Sequence, residues 1–280
     1  YKRGNYDNAI KYFEYYVRCA PAEENEYKKA HYNLGYAYFV KQPNNLSKSD
    51  AYFKEFIRLY GAKDGYRADA FNRRGDIAYA QRRYAQAVEC YNEAKKIEVD
   101  EKYYAQFKHA VALGFAKGKN EKVAALQQLK NEDCKDFNDD ILYELGYTLV
   151  SQTKYKEAAD IFEEFVDKYT ISPYYTSALL NLGLVHINIG NKEKSLMYYD
   201  RVITKDPRSQ AAKDANRSVR EIYILDGKDK EYYAYAERCG IEGDLSIMAR
   251  DSLSYRAAQN IYLAICGAGR SLGYVCAPSL

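Results

Sequence analysis

Residues 142–169, LYELGYTLVSQTKYKEAADIFEEFVDKY, and residues 179–207, LLNLGLVHINIGNKEKSLMYYDRVITKDP, are two copies of one pattern. In each copy, apolar residues recur at three- and four-residue spacing over two successive segments, which predicts two amphipathic helices joined by a turn. Gly146 and Gly183 occupy the same place in the two copies and lie 37 residues apart. Each is followed by a small residue after 12 positions and by an aromatic residue after 16. This spacing indicates that two helix backbones cross closely at the glycine, because a larger side chain would hold them apart.

The same spacing occurs twice more. Gly75 is followed by Ala87 and Tyr91 at offsets of 12 and 16, and Gly35 by Phe53 after a two-residue insertion near residues 43–45. A helix pair that recurs with a period near 34 residues is the signature of a helical solenoid. The sequence therefore predicts an all-α fold made of stacked helix pairs.

These repeats resemble the tetratricopeptide repeat (TPR) family. The family's leucine-glycine pair in the first helix, and its alanine and aromatic residue in the second, recur as Leu145, Gly146, Ala158 and Phe162. The family's tryptophan is absent throughout, and its closing proline is matched clearly only at Pro207. The resemblance implies a right-handed superhelical α-solenoid of antiparallel helix pairs.

The array is predicted to occupy residues 1–265 and to be followed by an atypical tail, residues 266–280. The chain begins inside the pattern, at a second helix, so we expect it to be a fragment or a processed chain. The register of the fourth unit stays open, because Gln127 stands where an aromatic residue is expected. The predicted parts are a half repeat at 1–19, units at about 26–60, 66–98, 101–129, 139–169, 173–204 and 208–238, and an extra helix at 246–265.

Composition narrows the possible functions. The formal net charge of +3 over 280 residues is close to neutral and gives no reason to expect a polyanionic partner. No apolar run approaches the roughly 18 residues that a membrane-spanning helix needs. The 32 tyrosines suit half-buried positions, where the ring packs and the hydroxyl reaches a polar neighbour.

No catalytic or metal-binding motif is found. The three histidines stand in different units, and the six cysteines contain no Cys-x-x-Cys pair. The glycine-rich stretch 114–119 lacks both the Gly-Lys-Ser/Thr ending and the preceding strand of a phosphate-binding loop. We therefore predict a protein that is not an enzyme and that uses no cofactor and no metal, with its cysteines reduced and at least half-buried.

The candidate binding residues follow from the resemblance. In the TPR family the first helices line a concave groove, and the residues flanking the glycine face into it. Exposed aromatic rows suit peptide binding, because tyrosine offers a large contact area at a low cost in conformational entropy. The implied groove residues are Tyr32, Tyr36, Phe39, Asn72, Asp76, Tyr79, Tyr143, Tyr147, Leu180, Leu184 and Ile187.

We accordingly predict a non-enzymatic protein-protein interaction scaffold that binds a protein or peptide segment in a Tyr-rich concave groove. The family's clamp for C-terminal carboxylates needs lysine, asparagine and arginine at these places, which this sequence mostly lacks, so that ligand class is disfavoured. The identity of the partner and the oligomeric state stay open.

Two alternatives remain. The first is an RNA-binding helical repeat protein that uses Arg73-Arg74 and Arg82-Arg83, although Asp69 and Asp76 close by favour a salt-bridged surface. The second is the helical-repeat part of a larger enzyme or sensor. In the primary interpretation, the expected partner is a protein or peptide and not a nucleic acid.

A finer resemblance concerns the cellular compartment. Residues 53–60 and 162–169 share the pattern F-x-x-F-hydrophobic-x-x-Tyr, and the second runs into Ser172-Pro173-Tyr174. These lines resemble bacterial envelope TPR proteins, which implies a bacterial periplasm or cell envelope, with the cytoplasm as the alternative. Six cysteines without evident pairing argue mildly against an oxidising compartment.

Overall fold

The computed structural model describes residues 5–41, 45–241 and 247–271. All regular elements in these ranges are helical, and no strand occurs there, which confirms the predicted all-α fold. A single 3-10 turn, Lys135–Phe137, precedes the eighth helix. The helices are α1 Tyr6–Cys19, α2 Asn25–Val40, α3 Leu46–Leu59, α4 Gly65–Ala80, α5 Tyr84–Ala94, α6 Glu101–Ala116, α7 Lys119–Lys130, α8 Asn138–Ser151, α9 Tyr155–Lys168, α10 Tyr175–Asn188, α11 Lys192–Lys205, α12 Gln210–Leu225, α13 Asp229–Arg238 and α14 Ile247–Ser271.

The chain divides into two compact units, Tyr1–Thr148 and Leu149–Leu280. Successive helices pack against each other from α1 to α7 in the first unit and from α9 to α14 in the second. The insertion at 43–44, the first four residues of the predicted half repeat and residues 272–280 of the predicted tail lie outside the described residues. Across the described ranges, none of the helices has both the length and the apolar run that crossing a membrane requires.

Local sequence signals set where several helices begin. The side chains of Asp64, Asn191 and Ser209 each accept a hydrogen bond from the backbone N–H three residues later, at the starts of α4, α11 and α12. Such caps satisfy one of the backbone donors that a helix start leaves free. Gly190, with φ of +83°, makes the turn between α10 and α11, because glycine adopts this backbone conformation without steric cost.

The pair α10 and α11 shows how two helices of a repeat meet. Arg201, near the end of α11, donates a hydrogen bond of 2.6 Å to the Tyr175 hydroxyl at the start of α10, so the helices run antiparallel. At their crossing the Tyr199 ring lies directly over Gly183, and the Ser195 hydroxyl donates to the Gly183 carbonyl at 2.7 Å. The residues at offsets 12 and 16 therefore meet the glycine, as their spacing predicts.

Two crossings in the first unit repeat this contact. A Cβ added at Gly75 would lie 2.5 Å from the Tyr91 ring, and one at Gly35 would lie 2.8 Å from the Phe53 ring. The Ser49 hydroxyl bonds the Gly35 carbonyl at 2.7 Å, as Ser195 does in the second unit. The contacts at Gly35 are therefore retained despite the two-residue insertion in the sequence between α2 and α3.

The fourth helix pair, α6 and α7, departs from the pattern. Leu126 is fully buried, whereas the adjacent Gln127 is exposed, so the core position has shifted by one residue. The aliphatic stem of Lys122 covers Gly114, and its ammonium group pairs with Glu144 on α8. An aliphatic stem, and not an aromatic ring, fills this crossing. The aromatic residue that marks the register of the other units is therefore missing from this part of the sequence.

The last helices use a different crossing. The Tyr232 hydroxyl of α13 donates to the Asn216 side chain of α12 at 3.1 Å, across the same 16-residue offset that joins Gly183 to Tyr199. Asn216 therefore occupies the position that glycine has in the other pairs. Here a hydrogen bond to the tyrosine hydroxyl replaces the packing of the ring against the glycine backbone. Helix α14 packs on this pair, where Ser254 donates to Asp229 at 2.6 Å and Arg256 pairs with Glu221 at 2.8 Å.

Substitution of a crossing glycine should be costly. We expect Gly75→Ala to destabilise the protein by about 1–3 kcal/mol, because the new methyl group forces the buried Tyr91 ring to move. Urea unfolding followed by circular dichroism measures this. Gly61→Ala is the matched control, since an added Cβ there meets nothing within 4 Å. Equal stability of the two variants would show that close approach at Gly75 is not required.

A carboxylate in the second unit joins three helices. Glu163 of α9 accepts hydrogen bonds from Lys194 at 2.8 Å and Tyr198 at 3.2 Å on α11, and lies 3.1 Å from Nε2 of the buried His186 on α10. Partial burial raises the pKa of Glu163, but the hydrogen bonds from Lys194, His186 and Tyr198 outweigh it and hold the pKa below the ordinary 4.5.

The stabilisation from Glu163 should therefore depend on pH. A lowered pKa in the folded state means that the contribution is present above the unfolded pKa and is lost as the pH falls through the folded pKa. We expect Glu163→Gln to lower the urea midpoint at pH 7, and the difference from the unmodified protein to shrink as the pH is lowered from 5 to 3. The exposed Glu193→Gln serves as the control, and a difference independent of pH would contradict the linkage.

Candidate functional site

Tyr32 and Tyr36 lie together on α2 and point at α4. Their hydroxyls both donate to one oxygen of Asp69, from Tyr32 at 2.8 Å. Their rings meet edge to face with centroids 5.1 Å apart, and each also contacts the buried Phe53 ring. Burial and the Asp69 carboxylate raise the pKa of both tyrosines well above the usual range, so both stay neutral donors. The pair is therefore held in a fixed orientation, with one side still open.

A row of charged residues continues this surface along α4. The Arg73 guanidinium lies between two carboxylates, 3.3 Å from Asp69 and 2.6 Å from Asp76. Asp76 also accepts hydrogen bonds of 2.7 Å from the hydroxyls of Tyr91 on α5 and Tyr104 on α6. Arg73 in turn lies 5.0 Å from the centre of the Tyr104 ring. Tyrosine and charge thus alternate across α2, α4 and α6.

Two predicted groove residues have mainly structural contacts. Asn72 is only 1% exposed, and its amide donates to the Glu101 carbonyl at 3.1 Å, which ties α4 to the start of α6. Phe39 is half-buried against the cluster that contains Phe53 and Phe56. Asn72 therefore offers no surface to a partner, because its neighbours cover it.

Other predicted groove residues present aromatic surface. Tyr79 is half-buried and meets the rings of Tyr84 and Phe115 edge to face at 5.4 and 5.6 Å. On α8 the Tyr143 and Tyr147 rings lie nearly parallel, 6.5 Å apart, and Tyr147 is 53% exposed. Phe115, which the sequence did not single out, is 57% exposed.

An open cavity of about 450 Å³ lies in the first unit beside the tyrosine pair. Three tyrosine rings and three carboxylates form its walls. Among the residues that the structure describes, no hydrogen-bond or ion-pair partner reaches the Glu101 carboxylate, which rests against Gly65. The lining residues are Tyr32, Tyr36, Asp64, Gly65, Tyr66, Asp69 and Glu101.

A second cavity, of about 300 Å³, lies in the second unit between α10 and α12 and is predominantly apolar. The predicted residues Leu184 and Ile187 form one wall. Leu184 is 40% exposed and Leu225, opposite on α12, is 66% exposed. The lining residues are Leu184, Ile187, Lys192, Tyr199, Arg217, Ser218, Glu221, Ile222 and Leu225.

The structure therefore divides the predicted residues into separate groups. Tyr32, Tyr36 and Asp76 belong to the tyrosine and charge network of the first unit. Leu184 and Ile187 share the apolar cavity of the second unit. The sequence missed Asp69, Arg73, Tyr104, Tyr66 and Glu101 as members of the surface. Asp69 lies on the next first helix, about one turn before Asn72, which occupies the place equivalent to Tyr32.

The arginines considered for RNA are largely engaged within the protein. Arg73 pairs with Asp69 and Asp76, and Arg74 pairs with Asp50 on α3 at 2.8 Å. The guanidinium of Arg83 donates to Gln81 and Gln86. These contacts leave little free positive charge for a phosphate backbone.

The histidines and cysteines lie apart from one another. Burial lowers the pKa of His109 to about 4, so it is neutral at physiological pH, and burial raises the pKa of the Cys90 thiol to about 11. Within the described ranges, no three His, Cys, Asp or Glu side chains converge in a way that could hold a metal ion.

Comparisons with known proteins agree with this architecture. Tetratricopeptide repeat family models match residues 68–98 and 143–210. No curated protein sequence matches the chain significantly.

Several solved structures are similar. YrrB, described as a TPR protein with an unusual peptide-binding site, has a TM-score of 0.50 and 18% identity, over 67% of this chain and 91% of its own. MamA has a TM-score of 0.54 and 16% identity, over 66% and 94%. BtubC (BKLC) from P. vanneervenii has a TM-score of 0.55 and 14% identity, over 70% and 86%.

At these identities the structural likeness establishes the fold alone. It is the fold that the repeated glycine and aromatic crossings predict, and the two family matches include the crossings at Gly75 and Gly183. The chain therefore contains tetratricopeptide repeats, at residues 68–98 and 143–210.

Proposed function

We propose that this protein is a non-enzymatic scaffold that binds an extended protein segment on the surface formed by its first helices. TPR proteins bind protein or peptide partners, and the fold generally serves as an interaction scaffold rather than an enzyme. The observation that carries the proposal is the open apolar cavity between α10 and α12, bordered by Leu184, Ile187 and Leu225.

The size and lining of this cavity suit one apolar side chain of a partner. Burying a leucine-sized side chain contributes about 1.5–3 kcal/mol. The Tyr199 ring and Ile222 form apolar walls, and the charged residues Lys192, Arg217 and Glu221 also line the cavity. An apolar cavity with a polar rim is the usual arrangement of a binding hot spot.

The first helices of the first unit present aromatic surface of their own. Tyr36 and Tyr147 lie on first helices and present ring surface on a rigid support. Rigid aromatic side chains lose little conformational entropy on binding, so they contribute affinity efficiently. This supports the Tyr-rich groove as the path of the bound segment.

We also propose that the protein works in the bacterial periplasm or cell envelope. Support comes from the resemblance of the two F-x-x-F-hydrophobic-x-x-Tyr stretches, residues 53–60 and 162–169, to bacterial envelope TPR proteins. Cys19, Cys90, Cys134 and Cys239 form no disulfide bond, a state that the cytoplasm favours. An export signal in the full-length gene would support the envelope, and a cytosolic start would overturn it.

Substitutions on the surface formed by the first helices, the first-helix face, should weaken peptide binding. Peptides would be selected from a displayed random library on the immobilised protein and measured by calorimetry. We expect Leu184→Asp to weaken them at least tenfold, or about 1.4 kcal/mol, because a carboxylate enters an apolar cavity. Tyr147→Ala should weaken those that contact α8 by a similar factor.

The controls are Met197→Asp and Tyr15→Ala, which change exposed residues of similar size on the second helices α11 and α1. We expect both to leave the affinities within twofold of the unmodified protein. If Leu184→Asp and Tyr147→Ala bound every selected peptide normally, the first-helix face would not be the binding surface.

A further inference from the structure

The cavity of the first unit combines aromatic rings with negative charge. The Tyr32 ring centre lies 5.3 Å from that of Tyr66 and 5.1 Å from that of Tyr36, so three rings border one space. Asp64, Asp69 and Glu101 complete its walls. All six residues lie on α2, on α4 with its N-cap, or at the start of α6, and are held by the crossings described above.

These carboxylates are not neutralised equally. Asp69 accepts two tyrosine hydroxyls and pairs with Arg73, which also pairs with Asp76. Asp64 accepts the Tyr60 hydroxyl at 2.5 Å and caps α4. Each of these carboxylates therefore has partners within the protein.

Glu101 differs, since no described residue donates to its carboxylate. No lysine or arginine is among the residues that line the cavity. Arg67 donates to the carbonyls of Ile57 and Tyr60, and Lys102 pairs with Glu98. Lys29 lies 6.0 Å from the centre of the Tyr66 ring, so the ring already faces one ammonium group.

We propose that this cavity binds a lysine or arginine side chain of the partner segment, with the cationic group paired to Glu101 and packed against the rings of Tyr66 and Tyr32. Aromatic faces attract cations, and a partly buried carboxylate without a partner gains most from one. The volume of about 450 Å³ accommodates such a side chain. This proposal rests on the proposed function, because it assigns one position of the bound segment.

The charge of the surroundings favours a cation over an anion. Three carboxylates, those of Asp64, Asp69 and Glu101, line the cavity, and no lysine or arginine is among its lining residues. An acidic side chain or a C-terminal carboxylate would meet repulsion from the carboxylates of Asp64, Asp69 and Glu101. The cavity of the second unit is lined by Lys192 and Arg217 with one carboxylate, Glu221, so it lacks this excess of negative charge and suits a different residue of a partner.

A direct test uses defined peptides and NMR. The unmodified protein, labelled with ¹⁵N, is titrated with acetyl-Ala-Ala-Arg-Ala-Ala-amide and its lysine analogue, while the Gly65 amide signal is followed, since Gly65 lines the cavity. We expect a saturable shift with both basic peptides. The citrulline analogue, which keeps the shape but lacks the charge, should bind at least tenfold more weakly.

Substitutions at Glu101 and Tyr66 test whether the basic side chain binds in this cavity. Glu101→Gln, which preserves size and the backbone carbonyl bonded by Asn72, should weaken the basic peptides at least tenfold, and Tyr66→Leu about fivefold. Glu89→Gln, an exposed change on α5, is the matched control for net charge and should bind as the unmodified protein does. Circular dichroism verifies that each variant is folded.

Several outcomes would overturn the proposal. These are equal binding of the citrulline peptide, equal weakening by Glu101→Gln and Glu89→Gln, or a Gly65 shift produced by Ca²⁺ at concentrations below those of the basic peptides. Failure here is distinct from failure of the scaffold. If Leu184→Asp weakened selected peptides while Glu101→Gln did not, the binding face would stand and only the cation site would fall.

Discussion

The other features of the structure depend on one contact, the packing of an aromatic ring against a glycine of the preceding helix. Phe53 on Gly35, Tyr91 on Gly75 and Tyr199 on Gly183 each fix how closely two helices approach. The distance between helices then sets which side chains meet and which remain outside. Where the aromatic ring is absent, another side chain packs against the glycine, as the Lys122 stem does over Gly114 in the pair α6 and α7.

This constraint explains why the tyrosines of the first helices are ordered. The crossing uses one face of α2, so Tyr32 and Tyr36 must occupy the adjacent face, where their hydroxyls reach Asp69 of the next first helix. A hydroxyl bonded to a carboxylate keeps the ring in one orientation and keeps the phenol neutral. The same contacts bring Arg73 between two carboxylates. Packing and electrostatics thus produce a preformed surface, which lowers the entropy lost on binding.

The two units share the same helix-pair architecture but carry different side chains at equivalent positions. In the first unit the equivalent positions carry tyrosine, aspartate and arginine, and the resulting cavity is aromatic and acidic. In the second unit they carry leucine and isoleucine, and the cavity is apolar. Helix packing tolerates this variation because these positions point away from the crossings. A repeat protein can therefore vary its partner-facing residues while its core stays constant.

The sequence by itself determined the all-helical fold and the close crossings, because the glycine and aromatic offsets are a local consequence of helix geometry. It also placed Tyr32, Tyr36, Leu184 and Ile187 on the first helices. Only the tertiary structure decided that Asn72 is buried, that Leu126 replaces Gln127 in the core, and that Glu101 faces Tyr66 across a cavity. These outcomes depend on contacts between residues some 30 or more positions apart, or on a one-residue change of register. A helical period cannot specify either, since it fixes directions within one helix and not the neighbour that each side chain meets.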